Sequence, residues 1–366
     1  MILLGTLVTC LIMCIIGSVS KTMLRYKKLF FVIMAFLLVI AVGFRVYNSG
    51  DYAQYTINFY TCSKMTWSQI LTNTHKEYFQ VILIKLLSLL GFKAQSYFFV
   101  ATVITLYGFF SFIIKKSLNP YITLIVVIAM GCIYTMCNIT RQYIAISLLL
   151  LAYLSFDEKK VLKSIFYAFC AFQFHETAIL PVFVFVFYKK ILCKVNIVQN
   201  KTILFLINLG LMFMVTPIFE KLFFSSASDE LKNLTRISDL ASIGQYGTNT
   251  ASKIYILVGI ILCMLLIFLR NISITENKVK ISNIFNCYYF IFVLLGCLIS
   301  VLYFRIADYF IMFLLTDISN EFVKANRSLK NFNLIFYLGF IITFVILSSG
   351  PNIQYIKYYM FYFFKN

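Results

Sequence analysis

Long apolar runs, each closed by a short charged or polar turn, recur along the whole 366-residue chain. Ile2 to Ser18, Leu29 to Gly43, Tyr97 to Ile114, Tyr121 to Met136 and Tyr143 to Phe156 are the clearest in the first half. Thr202 to Phe219, Ile254 to Leu269, Ile284 to Tyr303 and Phe332 to Ser348 continue the pattern in the second. Their lengths lie near the roughly 17 to 25 residues that a helix needs to cross a bilayer. The fold class is therefore all-α: a polytopic integral membrane protein with about twelve transmembrane helices and both termini outside. Residues 1–366 read as a single transmembrane domain. No basic stretch precedes Ile2, and the nearest positive charges follow the first run, so that run is expected to be a retained span.

Several stretches depart from the regular alternation. Residues 44–95 form a first large outer loop that is polar early and apolar late. Its second half, Glu77 to Phe92, is interrupted by Lys85 and is expected to lie at the interface, with the lysine snorkelling to water. Short outer turns are expected at Cys137 to Tyr143 and at Phe304 to Tyr309, the latter followed by a short inward span ending near Leu315. The apolar text from Ser164 to Tyr188 is broken by Gln173, His175, Glu176 and Thr177, which predicts two short helices meeting at an outer apex. Residues 220–252 form a second large outer loop with a Gly/Ser/Thr/Asn-rich end. Ile353 to Phe364 is an aromatic interfacial tail.

Composition narrows the class further. Hydrophobic residues make up 61% and charged residues 12%, against about 25% charged in a soluble domain. The net charge of +19 would suit nucleic acid, but its placement argues otherwise. Lysines and arginines gather in alternate short loops, such as Lys21 to Lys28, Lys115 with Lys116, and Lys159 to Lys163. That is the positive-inside pattern of a membrane protein, and no nucleic-acid partner is expected. The ten cysteines sit mostly within apolar runs without metal-like spacing, and only Cys62 is placed to meet an oxidising compartment.

Against this background the polar residues at membrane edges converge on the outer side. They are Arg45, Asp51 with Tyr55, Glu77, Arg141 with Gln142, His175 with Glu176, and Arg305 with Asp308. A charge held in hydrocarbon costs about 2.5 to 3.5 kcal/mol, so edge charges tend to be paired or functional. Each has a plainer explanation too: Asp51 as the cap of a surface turn, Arg141 as an interfacial anchor, His175 as a structural hydrogen-bonder, Arg305 and Asp308 as a helical ion pair. Arginines at headgroup depth suit a phosphate-bearing ligand, because the guanidinium fork matches phosphate oxygens. A neighbouring carboxylate or histidine can act as general base on a hydroxyl. Together they describe transfer of a group from a lipid-linked phosphate to an alcohol. No residue pattern calls for a metal or another cofactor.

The segments Arg45…Gly50-Asp51-Tyr52…Tyr55, Glu77 before an amphipathic helix, Thr140-Arg141-Gln142-Tyr143-Ile144-Ala145 and Phe172-Gln173-Phe174-His175-Glu176-Thr177-Ala178, in that order, carry a resemblance. The chain resembles the EpsG family of exopolysaccharide and O-antigen (Wzy-type) polymerases from about residue 40 to 190, with a weaker echo at Arg305 to Tyr309. The resemblance implies a membrane glycosyltransferase in the bacterial inner (plasma) membrane, serving polysaccharide or lipopolysaccharide biosynthesis. It would move a growing glycan from undecaprenyl pyrophosphate onto the next lipid-linked repeat unit at the outer face. Membrane lipid, a flippase and a chain-length regulator are the implied partners. By resemblance Arg141 and Arg305 would neutralise the departing pyrophosphate, with Arg45 and Tyr55 positioning and Gln142 and Asp308 beside them. Asp51 is the first candidate for the base, ahead of His175 and Glu77. A flippase for the same lipid-linked sugars, or a related O-antigen ligase, is the alternative.

Overall fold

A computed structural model describes residues 2–46, 51–73, 77–190, 281–298, 302–326, 339 and 360–361. The expected second outer loop at 220–252, the spans at 202–219, 254–269 and 332–348, and most of the tail lie outside the described residues. Contacts divide the chain into two compact units, residues 1–182 with 326–366 and residues 183–325.

In the first unit, α1 (Ile2–Val19), a short α2 (Lys21–Arg25) and α3 (Lys27–Gly43) follow the first two apolar runs closely. Ser20 caps α2 through its hydroxyl, which accepts from the Met23 N–H and lets the chain turn at the membrane edge. The first outer loop is mostly helical: α4 (Asp51–Lys64), α5 (Trp67–Asn73) and α6 (Tyr78–Leu89). Then come α7 (Gln95–Lys116), α8 (Pro120–Ala129), α9 (Cys132–Asn138), α10 (Thr140–Asp157) and α11 (Val161–Phe174), a 3-10 turn at Glu176–Ala178, and the start of α12 (Ile179–Lys190). The two-residue strand Arg45–Val46 pairs antiparallel with Met360–Phe361.

Among the described residues, α1 and α7 are each long and apolar enough to cross a membrane alone. The helices α8 and α9 qualify only as a pair, bent by 56°. The single span expected from Tyr121 to Met136 is thus broken. Gly131 sits at the bend with φ +74°, a left-handed conformation that glycine adopts without steric cost and that ends α8. The turn expected at Cys137 to Tyr143 shrinks to Ile139, between the end of α9 and the start of α10.

The helices α7 and α10 pack closely, and α3 lies against α7. Gly108 is where the α7 and α10 backbones approach most tightly: a Cβ there would lie 2.6 Å from the Ser147 Cβ and carbonyl oxygen. Small residues at such crossings let membrane helices approach where no hydrophobic drive exists between them. The two helices run antiparallel, so the Gln95 end of α7 meets the Thr140 end of α10, while Lys115 and Lys116 meet Asp157 and Glu158. Lys115, with Lys160, holds the exposed Glu158 carboxyl down to about 2. A 22-residue α7 separates those two ends by about 33 Å, one bilayer thickness.

The pairing of α4 with α6 covers the outer end of α7. Tyr55, Phe59, Cys62, Ile84, Leu87, Ala94, Tyr97 and Phe98 form one buried cluster there. Lys85, half-buried, donates one Nζ–H to the Ser63 carbonyl at 2.8 Å, near the C-terminus of α4. There its charge also suits the helix dipole. Cys62 is buried under α6 rather than facing the outer compartment, and burial pushes its thiol up.

The second unit contains α13 (Ile281–Leu298) and α14 (Leu302–Asn326). The outer turn expected at Phe304 to Tyr309 is instead continuous helix. Charges alone do not end a helix, and residues 302–326 contain no glycine or proline. Asn286 Nδ2 donates to Asp317 Oδ2 at 2.7 Å within this unit.

The Gly108→Ala variant is expected to lose about 1 to 3 kcal/mol of stability, because the obstructing atoms include Ser147 backbone, which cannot rotate away. A heated-aliquot size-exclusion assay of the detergent-solubilised protein measures it. An unchanged melting point would mean that α7 and α10 part easily at this crossing.

Candidate functional site

Three chain breaks meet where the Gln95 end of α7 lies against the Thr140 end of α10. Glu77 precedes α6, Ile139 precedes α10, and His175 stands extended between α11 and the 3-10 turn. Each break frees the ends of the adjoining helices to project polar groups, and these groups engage one another. Glu77 Oε2 accepts from Arg141 Nη1, and Glu77 Oε1 accepts from His175 Nδ1–H at 2.9 Å. A carboxylate only accepts, so the proton on this contact resides on His175 Nδ1. The Glu77 side chain is 15% exposed, that of His175 23% and that of Arg141 35%, so the group is shielded yet reachable.

Glu77 has φ +61° and ψ +45°. A non-glycine residue in this left-handed region costs about 1 to 2 kcal/mol and persists only where its surroundings hold it. Arg141, His175 and a hydrogen bond from the Glu176 backbone supply that hold.

Arg141 is fixed from a second side. Its backbone N–H, one of the unpaired donors in the first turn of α10, donates to the Tyr55 hydroxyl at 3.4 Å. Its guanidinium lies 5.5 Å from the Tyr55 ring centroid. Glu77 takes Nη1, while Nε is buried without a hydrogen-bond partner. The Nε–H and Nη2 edge of the fork is therefore not the edge that Glu77 uses.

Arg45 is placed differently from a ligand-facing residue. It is 1% exposed, and its guanidinium donates to the Val42 carbonyl at 2.7 Å, the Cys137 carbonyl at 2.9 Å and Thr140 Oγ1 at 3.2 Å. It also lies 4.9 Å over the Phe98 ring. Arg45 thus joins the end of α3 to the break before α10. Gln142 is buried within α10. Asp51 opens α4, but its side chain lies outside the described residues. Arg305 and Asp308 stand one turn apart on α14 in the second unit, Arg305 exposed and Asp308 half-buried. Gln95, Tyr97 and Thr140 also belong to the neighbourhood of Arg141, yet a scan for charges at span ends passes over all three. Among the described residues no three His, Cys, Asp or Glu side chains gather as a metal-holding group.

A family model described as the EpsG family matches residues 28–360, nearly the whole chain. The chain belongs to the EpsG family. The match extends well beyond the stretch from 40 to 190 that carries the local motifs. Neither a curated protein nor a solved structure matches the chain. EpsG is a Wzy-type polymerase-like family, and with the apolar helices it assigns the chain a membrane polysaccharide polymerase-like role.

In this EpsG-family protein, burial alone would push the Glu77 carboxyl up, but the His175 hydrogen bond and the Arg141 charge outweigh it and hold the group below its ordinary value of 4.5. A carboxyl whose folded value is depressed adds stability above the unfolded value and loses it as pH falls through the folded one. Glu77→Gln is therefore expected to lower stability near neutral pH by about 2 kcal/mol, between an exposed and a fully buried ion pair. The gap between variant and wild type should close as pH drops below about 4.5. Melting curves of both proteins across pH 3 to 7 check this. A gap independent of pH would mean that the Glu77 charge contributes nothing.

Proposed function

We propose that this chain polymerises a bacterial surface polysaccharide, moving the growing glycan from undecaprenyl pyrophosphate onto the next lipid-linked repeat unit at the outer face of the plasma membrane. The observation that carries this reading is the single Glu77 carboxylate joined to both Arg141 and His175 at the outer helix ends. A guanidinium suited to phosphate and an imidazole suited to proton transfer share one carboxylate, in a chain whose family is polymerase-like, and this supports the reading.

Arg141 offers the pyrophosphate its charge and the part of its half-buried guanidinium that Glu77 does not occupy. Glu77 holds the His175 imidazole by Nδ1–H, so Nε2 takes the proton of the acceptor hydroxyl. The oxygen so freed bonds to the anomeric carbon of the donor glycan. The bond from that carbon to the pyrophosphate oxygen breaks, and the departing oxygen keeps the electron pair. The new charge falls on the pyrophosphate, where the Arg141 guanidinium meets it. The base in this reading is His175, whose ring Glu77 holds. Repeat units must first reach the outer face, so a flippase acts upstream.

The test is the gel banding of surface polysaccharide from cells lacking the chain, complemented by wild type, Arg141→Ala or His175→Ala. Wild type is expected to restore the long ladder and each variant to leave chiefly single-repeat chains, a loss of roughly 100-fold or more in transfer. Full ladders from both variants would overturn the reading. Loss of all polysaccharide, with lipid-linked single units held on the inner leaflet, would make the chain a transporter instead.

A further inference from the structure

The geometry points to Gln95 as a positioning residue that sets the orientation of Arg141 through two separate arms, and this rests on the reading of Arg141 as the phosphate-binding group. Gln95 begins α7 and is buried, although it carries no charge and falls outside every motif in the sequence. Its amide spends both ends on the elements that lead to Arg141. Gln95 Nε2 donates to the Gly43 and Arg45 carbonyls, the latter at 3.0 Å, and Gln95 Oε1 accepts from the Tyr52 hydroxyl at 3.1 Å.

The first arm runs through Arg45. With its backbone held by Gln95, Arg45 reaches across to the Cys137 carbonyl and Thr140 Oγ1. These groups flank the break at Ile139, Cys137 four residues and Thr140 one residue before Arg141. The second arm runs through α4. Tyr52, held by Gln95, stacks on Phe98 at 4.4 Å and 14°. Tyr55 lies one turn further along the same face of α4. It accepts the Arg141 N–H and carries the guanidinium over its ring. Both arms also touch Phe98, with Arg45 and Tyr52 each against that ring. An amide suits this position because it alone combines two donors with an acceptor and adds no charge that would compete with Arg141 for an anion.

A merely structural Gln95 would lower stability alone, so the experiment reads coupling. Wild type, Gln95→Leu and Tyr52→Phe are compared in binding undecaprenyl pyrophosphate in detergent by calorimetry. Each is made in the Arg141 chain and in an Arg141→Lys background, which keeps the charge but lacks the planar fork. Melting points are recorded alongside. In the Arg141 chain, Gln95→Leu is expected to weaken binding about tenfold and Tyr52→Phe about threefold, and in the Arg141→Lys background each by less than twofold. Tyr52→Phe removes only one hydroxyl, so it remains informative if Gln95→Leu does not fold. Equal losses in both backgrounds, or unchanged binding by Tyr52→Phe and Gln95→Leu, would overturn this assignment alone. Failure of the wild-type chain to bind the pyrophosphate lipid would overturn the proposed function and this assignment together.

Discussion

A carboxylate at a membrane edge must find cationic or hydrogen-bonding partners, and Glu77 finds three on two other segments of the chain. Arg141 comes from the start of α10, while His175 and the Glu176 backbone come from the break after α11. The left-handed backbone at Glu77 is tolerated because these partners hold it. Taking away any one of them would leave a shielded charge unmatched, so the loop before α6, the start of α10 and the apex after α11 are bound as one unit. That arrangement is what gives an imidazole and a guanidinium fixed places beside each other.

The bilayer imposes the second constraint. Backbone groups inside hydrocarbon must be satisfied by helix, so irregular chain is confined to the ends of spans or to places shielded by protein. The three breaks at Glu77, Ile139 and His175 obey this rule and coincide at one end of α7 and α10. The other end of the same two helices holds Lys115, Lys116, Asp157 and Glu158, exposed and paired for solubility and topology. The antiparallel packing of α7 and α10 keeps these two polar clusters at opposite ends of the pair.

Much of this was legible in the sequence. Hydropathy gave the helical class and the break near His175, because Gln173, His175 and Glu176 cluster where a continuous span could not bear them. Glu77, Arg141 and His175 stood out as polar residues at the edges of apolar runs, and their family motifs lie in the same places. Other features were hidden for definite reasons. The 56° bend at Gly131 rests on one glycine in otherwise unbroken apolar text. The continuity of α14 through Arg305 was hidden because charge interruption was taken for a helix end, a role that glycine and proline perform more reliably. The contact of Lys85 with the Ser63 carbonyl of α4 depends on how α4 and α6 pack, which the pattern of residues does not carry.

The amino-acid pattern by itself determined that this chain lives in a membrane and that certain polar residues stand at the ends of apolar helices. These follow from the cost of placing each residue type in hydrocarbon, which depends on neighbours along the chain alone. The tertiary structure decided which of those residues touch. Glu77 lies 64 positions from Arg141 and 98 from His175 in sequence, so their junction depends on how three breaks are stacked. The same stacking buried Arg45 as an internal tie and brought uncharged Gln95 into the network, because hydrogen-bond direction and distance are fixed only once the helices have packed.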